Sequence, residues 1–250
     1  MSRKPDYGID SPMIAASLLT LGLIFLGCAG FLPNASRLHL RWPLMVLGAY
    51  LLLLAFGMLL YSKSGKLQIR DAILASIPFR GDECVLDLGC GRGLLLVGAA
   101  KRVPGGRALG VDVWNRHAVT NNRSSAVLEN AKIEGVSERV NVQYGDARRL
   151  PYNDGVFDVV VSNFLVHELK TAQEREECIL EIARVLRPGG HLALADFIFT
   201  RQCVDTLRRA GIEDAKRARV GSWLSAVPTL GIFQTFLVTG QKPVASRSCD

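Results

Sequence analysis

Val85-Leu86-Asp87-Leu88-Gly89-Cys90-Gly91-Arg92-Gly93-Leu94-Leu95-Leu96 is the stretch on which the fold turns. A short apolar run ends in three glycines spaced two apart, then passes into a longer apolar segment. That order reads as a buried strand, a tight turn and a helix. Glycines at such a turn admit positive φ and let a ligand approach the backbone closely. Taken alone, the turn holds a dinucleotide, a phosphate or nothing at all.

Working outward, strands and helices alternate. Upstream, residues 66–78 carry Leu67, Ile69, Ile73, Leu74 and Ile77 on one apolar stripe, the pattern of an amphipathic helix. Residues 84–88 form the first strand and 94–103 the helix behind it. Residues 107–113 are a second strand, and 117–134 a helix closed by Gly135. Further strands are expected at 140–144 and 156–162, a charged amphipathic helix at 172–186, and strands at 191–196 and 232–239. Such alternation predicts an open, mostly parallel sheet with helices on both faces, whose ligand sits at the carboxyl ends of the strands.

Candidate residues fall at those ends. Asp112 lies about 20 positions past the glycines, where a carboxylate accepts hydrogen bonds from both ribose hydroxyls. Gly145-Asp146-Ala147 follows the next strand and offers a carboxylate to the exocyclic amine of an adenine. The strand Phe157-Asp158-Val159-Val160-Val161-Ser162 delivers Asn163 to the rim. Each also has a plainer meaning: Asp112 a surface carboxylate, Asp146 a turn residue, Trp114 a core side chain, Cys90 a small loop residue. His167, just past Asn163, is suited by its ordinary pKa to deprotonate an acceptor hydroxyl or amine. The plainer role for it is a loop histidine bonded to backbone.

In this order and spacing the set resembles the class I S-adenosylmethionine-dependent methyltransferase family, in the broad methyltransferase-domain group with a DLGCGRG loop. The resemblance covers residues 84–197, and 233–239 looks like that fold's antiparallel last strand. It implies an α/β fold, a doubly wound Rossmann-like seven-stranded sheet, with S-adenosyl-L-methionine as cofactor and no metal. It further implies that Asp87, Gly89, Cys90, Gly91 and Gly93 wrap the methionyl moiety and that Asp112 binds the ribose. Val113 or Trp114 then packs against adenine, Asp146 and Ala147 contact its edge, and Asn163 lines the side facing the methyl group. The subgroup that methylates amide or base nitrogens carries Asn-Pro-Pro-aromatic at this place. Here the residues are Asn163-Phe164-Leu165-Val166, which disfavours that substrate class.

The N-terminal quarter is a different material. Residues 11–36 and 43–62 carry no charged side chain. Each stretch reaches the roughly 20 apolar residues that cross a bilayer. They predict a two-helix transmembrane hairpin over residues 1–62, with spans at about 13–32 and 43–61, followed by a catalytic domain over 63–250. Asp6 and Asp10 dilute the positive start that a cleaved signal peptide needs. Arg3, Lys4, Lys63, Lys66 and Arg70 outnumber Arg37 and Arg41 in the link, which leans towards both ends being cytoplasmic. A cofactor made in the cytosol places the catalytic domain on the same side.

The formal net charge of +7 favours anionic surfaces. The basic residues form no long run and do not interleave with aromatics, so no nucleic-acid partner is expected. Arg208, Arg209, Lys216, Arg217 and Arg219 read as a solvated helix face or a headgroup contact, and Trp223, Leu224 and Pro228 as an apolar lip to an acceptor pocket. Six scattered cysteines without a CxxC pair read as reduced thiols. A small-molecule or lipid-like acceptor is expected; the oligomeric state leaves no mark. Two rivals stay open. A NAD-dependent oxidoreductase wants glycine at the sixth fingerprint position, where Leu94 stands. A non-catalytic membrane scaffold that binds the same cofactor keeps every motif named above.

Overall fold

Short runs rich in valine and leucine make five parallel strands: β1 (Cys84–Leu88), β2 (Arg107–Asp112), β3 (Val140–Tyr144), β4 (Phe157–Asn163) and β5 (Leu186–Asp196). The structure, a computed structural model, describes residues 4–32, 38–115, 117–221 and 234–244. Two antiparallel strands, β6 (Lys216–Val220) and β7 (Thr235–Gln241), complete a seven-stranded sheet of order β3-β2-β1-β4-β5-β7-β6. The chain winds outward from β1 to β3, then returns to β4 beside β1. The crevice at the ends of β1 and β4 is therefore the topological switch point.

Alternate residues of each central strand face opposite layers. Val85, Val159 and Val161 pack with Ile69, Ile73 and Leu74 of α3 (Lys66–Ala75), Leu96 of α4 (Leu94–Arg102) and Val127 of α5 (Ser124–Ile133). Leu86, Val160 and Leu192 pack on the other side with Ile179 and Ile182 of α6 (Ala172–Val185) and Leu207 of α7 (Thr200–Arg209). Both faces are covered, which is why these strands are apolar throughout.

Several expectations shift. The helix expected over 117–134 begins only at Ser124. Residues 118–120 instead pair with the N-terminal segment, Ser11 N–H donating to Ala118 O (2.8 Å) and Thr120 N–H to Ile9 O (3.0 Å). Asn121 is left-handed at φ 51°, which ends any helix there. β5 starts at Leu186, not at residue 191, because Leu186 already pairs with Phe157 across a register shift. The basic cluster is not one helix face: Arg208 and Arg209 close α7, while Lys216, Arg217 and Arg219 lie on β6 at the sheet's edge. Cations there blunt an open strand edge. Trp223, Leu224, Pro228 and residues 232–233 lie outside the described residues.

The two apolar stretches form antiparallel-packed helices α1 (Pro12–Phe31) and α2 (Leu38–Leu60). Their packing inverts that of a soluble pair. The residues buried along α1 are Ala15, Gly22 and Ala29, seven apart, and those buried along α2 are Gly48, Ala55 and Gly57. A Cβ at Gly22 would lie 3.0 Å from Gly48 O, so the backbones touch. Leu19, Leu23, Ile24, Val46, Leu53 and Phe56 point outward. Both helices have the length and composition to cross a membrane. A π-helical turn, Tyr61–Gly65, carries α2 directly into α3.

The segment before α1 straps across the domain. Arg92, inside the glycine turn, donates from Nε to Asp6 O (2.8 Å) and from Nη2 to Asp6 Oδ2 (2.9 Å). Lys66 Nζ donates to Tyr7 O and Gly8 O (both 2.7 Å). Asp10 N–H donates to Ser62 Oγ (3.1 Å), so the entry of α1 and the exit of α2 are tied together.

Candidate functional site

The crevice is built first from backbone. Gly89, Gly91 and Gly93 all have positive φ (71°, 54° and 83°), which only glycine adopts without strain. Their reasons differ. A Cβ at Gly93 would fall 2.6 Å from Val127 Cγ1, so that glycine lets the turn pack on α5. At Gly91 nothing approaches closer than Asn122 Oδ1 at 4.0 Å, which leaves an open face over the turn. Cys90 is buried, and burial raises the pKa of its thiol well above the ordinary value. It packs against Gly110, where a Cβ would come 2.7 Å from Sγ. Cys90 is a filler of the turn.

Asp112 ends β2 beneath this turn. Its Oδ2 accepts from Gly91 N–H (2.7 Å) and its Oδ1 from Trp114 N–H (2.5 Å). Burial raises its pKa against the pull of those amides. Trp114, left-handed at φ 46°, donates from Nε1 to Gly91 O (3.1 Å) and leans on the core. Its ring is thus committed to the turn, whereas the neighbouring Val113 is exposed at the crevice.

Asp87 is the most telling residue of the turn. Its side chain is 1% exposed, and neither carboxylate oxygen has a well-formed hydrogen bond from any described residue. Burial, then the charge of Asp112, pushes its pKa well up. Asn122 Oδ1 and Asn163 Oδ1 are likewise buried without a partner among the described residues. Buried acceptors are normally satisfied. Four unpaired oxygens on these three side chains fit a ligand that brings an ammonium group and hydroxyl donors, as S-adenosylmethionine does.

The end of β3 is different. The Asp146 carboxylate is chelated by Arg148, with Nε at 3.0 Å from both oxygens and Nη2 at 2.6 Å from Oδ2. This pairing lowers its pKa. Ala147 is buried in the core behind it.

On the opposite flank, β4 ends at Asn163, and Phe164 follows in a left-handed conformation at φ 57°. A bulky side chain holds that conformation only when its surroundings impose it. Here the ring is fixed against Tyr61, His167 and Phe197, with centroids about 6 Å away. His167 sits on the following 3-10 turn. Its amide and its Nδ1 both reach Asp196 Oδ2 (3.1 and 3.2 Å), and its Nε2 lies 3.3 Å from Glu168 Oε1. Burial works against a charge on this ring. Hydrogen bonds and charges from Asp196 and Glu168 outweigh it and raise the pKa to about 9. The ring therefore bonds carboxylates, not the backbone.

Asp196 at 2% exposure and Asn122 stand at the crevice although no motif singled them out, whereas Arg92, inside the glycine motif, is spent on Asp6. Asp196 had one signal, its place at a strand's carboxyl end like Asp112. Between the flanks and the hairpin lies a cavity of about 270 Å³, lined by Met13 and Ile14 of α1 together with Asn115, His117 and Glu168.

Comparison with known proteins places this geometry. A family model described as a methyltransferase domain matches residues 86–194. Over 174 residues the chain is 33% identical to a 27-O-demethylrifamycin SV methyltransferase of Amycolatopsis mediterranei (strain S699), covering 68% of this chain and 57% of that protein. The chain thus spans less than two thirds of that relative's length. Among solved structures, a SAM dependent methyltransferase from Aquifex aeolicus superposes with a TM-score of 0.55 at 21% identity, covering 70% of this chain and 90% of the other. The [4+2]-cyclase SpnF does so with a TM-score of 0.56 at 22% identity, covering 72% and 81%. At these identities the two structures attest to the fold alone.

Proposed function

The chain belongs to the class I S-adenosylmethionine-dependent methyltransferases, and on that premise we propose that it methylates a hydroxyl group of an amphiphilic acceptor at a membrane surface. S-adenosyl-L-methionine is the cofactor, and when bound it supplies an electrophilic methyl carbon on a sulfonium. Gly89, Gly91 and Gly93 cradle its methionyl part, with Asp87 facing the ammonium and Asp112 the ribose. Val113 would pack against the adenine, with Asp146 and Ala147 towards its edge and Asn163 on the side of the methyl group.

The acceptor flank does the proton work. His167, in its neutral form and with the exposed Glu168 carboxylate moved off Nε2, would take the hydroxyl proton there as the acceptor oxygen is methylated. Asp196 fixes the imidazole and supports the charge it gains. Alignment of the reacting atoms and exclusion of water do the rest. The relative's name describes an O-methylation, in keeping with a hydroxyl acceptor.

One observation carries the membrane part: the seam between α1 and α2 buries glycine and alanine while leucine, isoleucine and phenylalanine face outward. In water that arrangement leaves a large apolar surface exposed. In a bilayer it is how helices pack, since small residues let backbones approach and large ones meet lipid. Residues 1–62 are then a membrane hairpin with two spans, and residues 63–250 the catalytic domain on the cytoplasmic side, where the cofactor is made. The bond between Asp10 and Ser62 roots the hairpin beside the crevice.

The full chain in lipid vesicles, given methyl-labelled S-adenosylmethionine and lipids from cells that make the protein, tests this. Label is expected in the solvent-extractable fraction, in a base-stable ether. Label confined to water-soluble products, or no transfer at all, overturns the proposal.

A further inference from the structure

Tyr61 is the first residue of the π-helical turn between α2 and α3, outside every motif that marks the site. Such turns recur at functional positions because they re-aim a side chain that a regular helix would place elsewhere. Two neighbours fix its ring. A Cβ at Gly65 would lie 2.5 Å from Tyr61 Cδ2, so only glycine leaves room for it there. On the other side Phe164 meets it edge-on, with centroids 6.0 Å apart and planes at 65°. The hydroxyl is buried and has no hydrogen-bond partner among the described residues. Asp10 and Asp196 act on it electrostatically without reaching it.

Phe164 is a shared wall. Tyr61 stands on one side of it and His167 on another, its ring 6.1 Å from Phe164 and 4.7 Å from Phe197. A buried hydroxyl and a half-buried imidazole thus flank one aromatic patch, next to the residue that ends β4. An oxygen placed between them would accept from the phenol and give its own proton to the imidazole.

We propose that Tyr61 binds the acceptor, its hydroxyl donating a hydrogen bond to the oxygen that is methylated, and that the acceptor is a phenolic ring lying against Phe164 and Phe197 with an apolar tail towards α1. This rests on the methyltransferase reading above. Ring-sized aromatic walls favour a flat head group, since edge and face contacts add to plain burial. A phenol loses its proton near the pH at which His167 does, so the transfer between them is nearly balanced, whereas an alkanol is far less acidic. The tail follows from position, because Met13 and Ile14 at the root of α1 line the cavity that Glu168, next to His167, lines as well. The anchor then contributes to recognition of the acceptor as well as to location.

The test uses the full chain in lipid nanodiscs, loaded with S-adenosylhomocysteine and titrated with 4-nonylphenol and with nonylbenzene, which lacks the oxygen. Wild type should bind the phenol about 3- to 10-fold more tightly than the hydrocarbon, the span of one ordinary hydrogen bond. Tyr61→Phe should cut that preference, raise the KM for the phenol and leave S-adenosylhomocysteine affinity unchanged. Retention of the preference in Tyr61→Phe overturns the assignment. So does a wild type that binds S-adenosylhomocysteine but does not prefer the phenol, and then the methyltransferase reading stands. Failure of wild type to bind S-adenosylhomocysteine overturns that reading too.

Discussion

The two flanks of the crevice use the same chemical group in opposite ways. On the glycine-turn flank, Asp87 is buried without a hydrogen-bond partner and Asp112, half-buried, is held by the Gly91 and Trp114 amides; among the described residues neither is ion-paired, and both are raised in pKa. On the β4–β5 flank, Asp196 and Glu168 are spent on His167, and Glu168 is lowered by that partner. One flank leaves acids waiting for a positively charged, hydroxylated ligand. The other uses acids to hold a base. Buried carboxylates without partners are disfavoured by several kcal/mol in order of magnitude, so a fold retains them where a ligand neutralises them. Asp146 follows the second pattern although it stands beside the first flank, because Arg148 already chelates it.

Four substitutions and one pH profile would break or sharpen this contrast. His167→Ala should lower methyl transfer about 10²- to 10⁴-fold, the usual worth of a positioned base, and leave S-adenosylhomocysteine affinity unchanged by calorimetry. An equal loss of cofactor affinity would merge the two flanks. Asp112→Ala should weaken S-adenosylhomocysteine about 10- to 100-fold, since it removes charge-assisted hydrogen bonds and frees the Gly91 and Trp114 amides.

A pH profile reads the base itself. With His167 raised to about 9, kcat/KM should climb as pH rises through that value, because only the neutral ring accepts a proton. Asp196→Asn removes a hydrogen bond and a charge that favour the protonated ring, so the inflection should move down towards 6.5. The stability contribution has the matching sign. Because the folded pKa lies above the unfolded one, it is complete below about pH 6.5 and is lost as pH passes about 9. The smallest effect is assigned to Asp146→Ala, which should weaken S-adenosylhomocysteine no more than about 3-fold, the value of a partly exposed group already paired. A loss as large as that of Asp112→Ala would put Asp146 among the essential contacts.

The glycine-turn flank was legible because its parts are local. Strand, turn and helix follow one another within residues 84–102, and Asp112 is found by its offset from the glycines. The other flank is assembled from distant chain: Tyr61 from the end of α2, His167 after β4, Asp196 at the end of β5. No spacing joins them, and only the sheet order brings them together. The helix expected from residue 117 was shortened for the same reason, since its partner is Ile9 to Ser11, more than a hundred positions away. β6 was missed because an edge strand of alternating cations has no apolar run to announce it. The hairpin's helices were plain from composition, but the glycine and alanine seam that distinguishes a lipid-facing pair needed their register.

Calorimetric titration of the full chain in detergent with S-adenosylhomocysteine, and separately with NADH, tests the central claim most directly. Tight binding of S-adenosylhomocysteine alone is the expected result. Binding of NADH in its place, or of neither ligand by a folded protein, would contradict the assignment of the crevice.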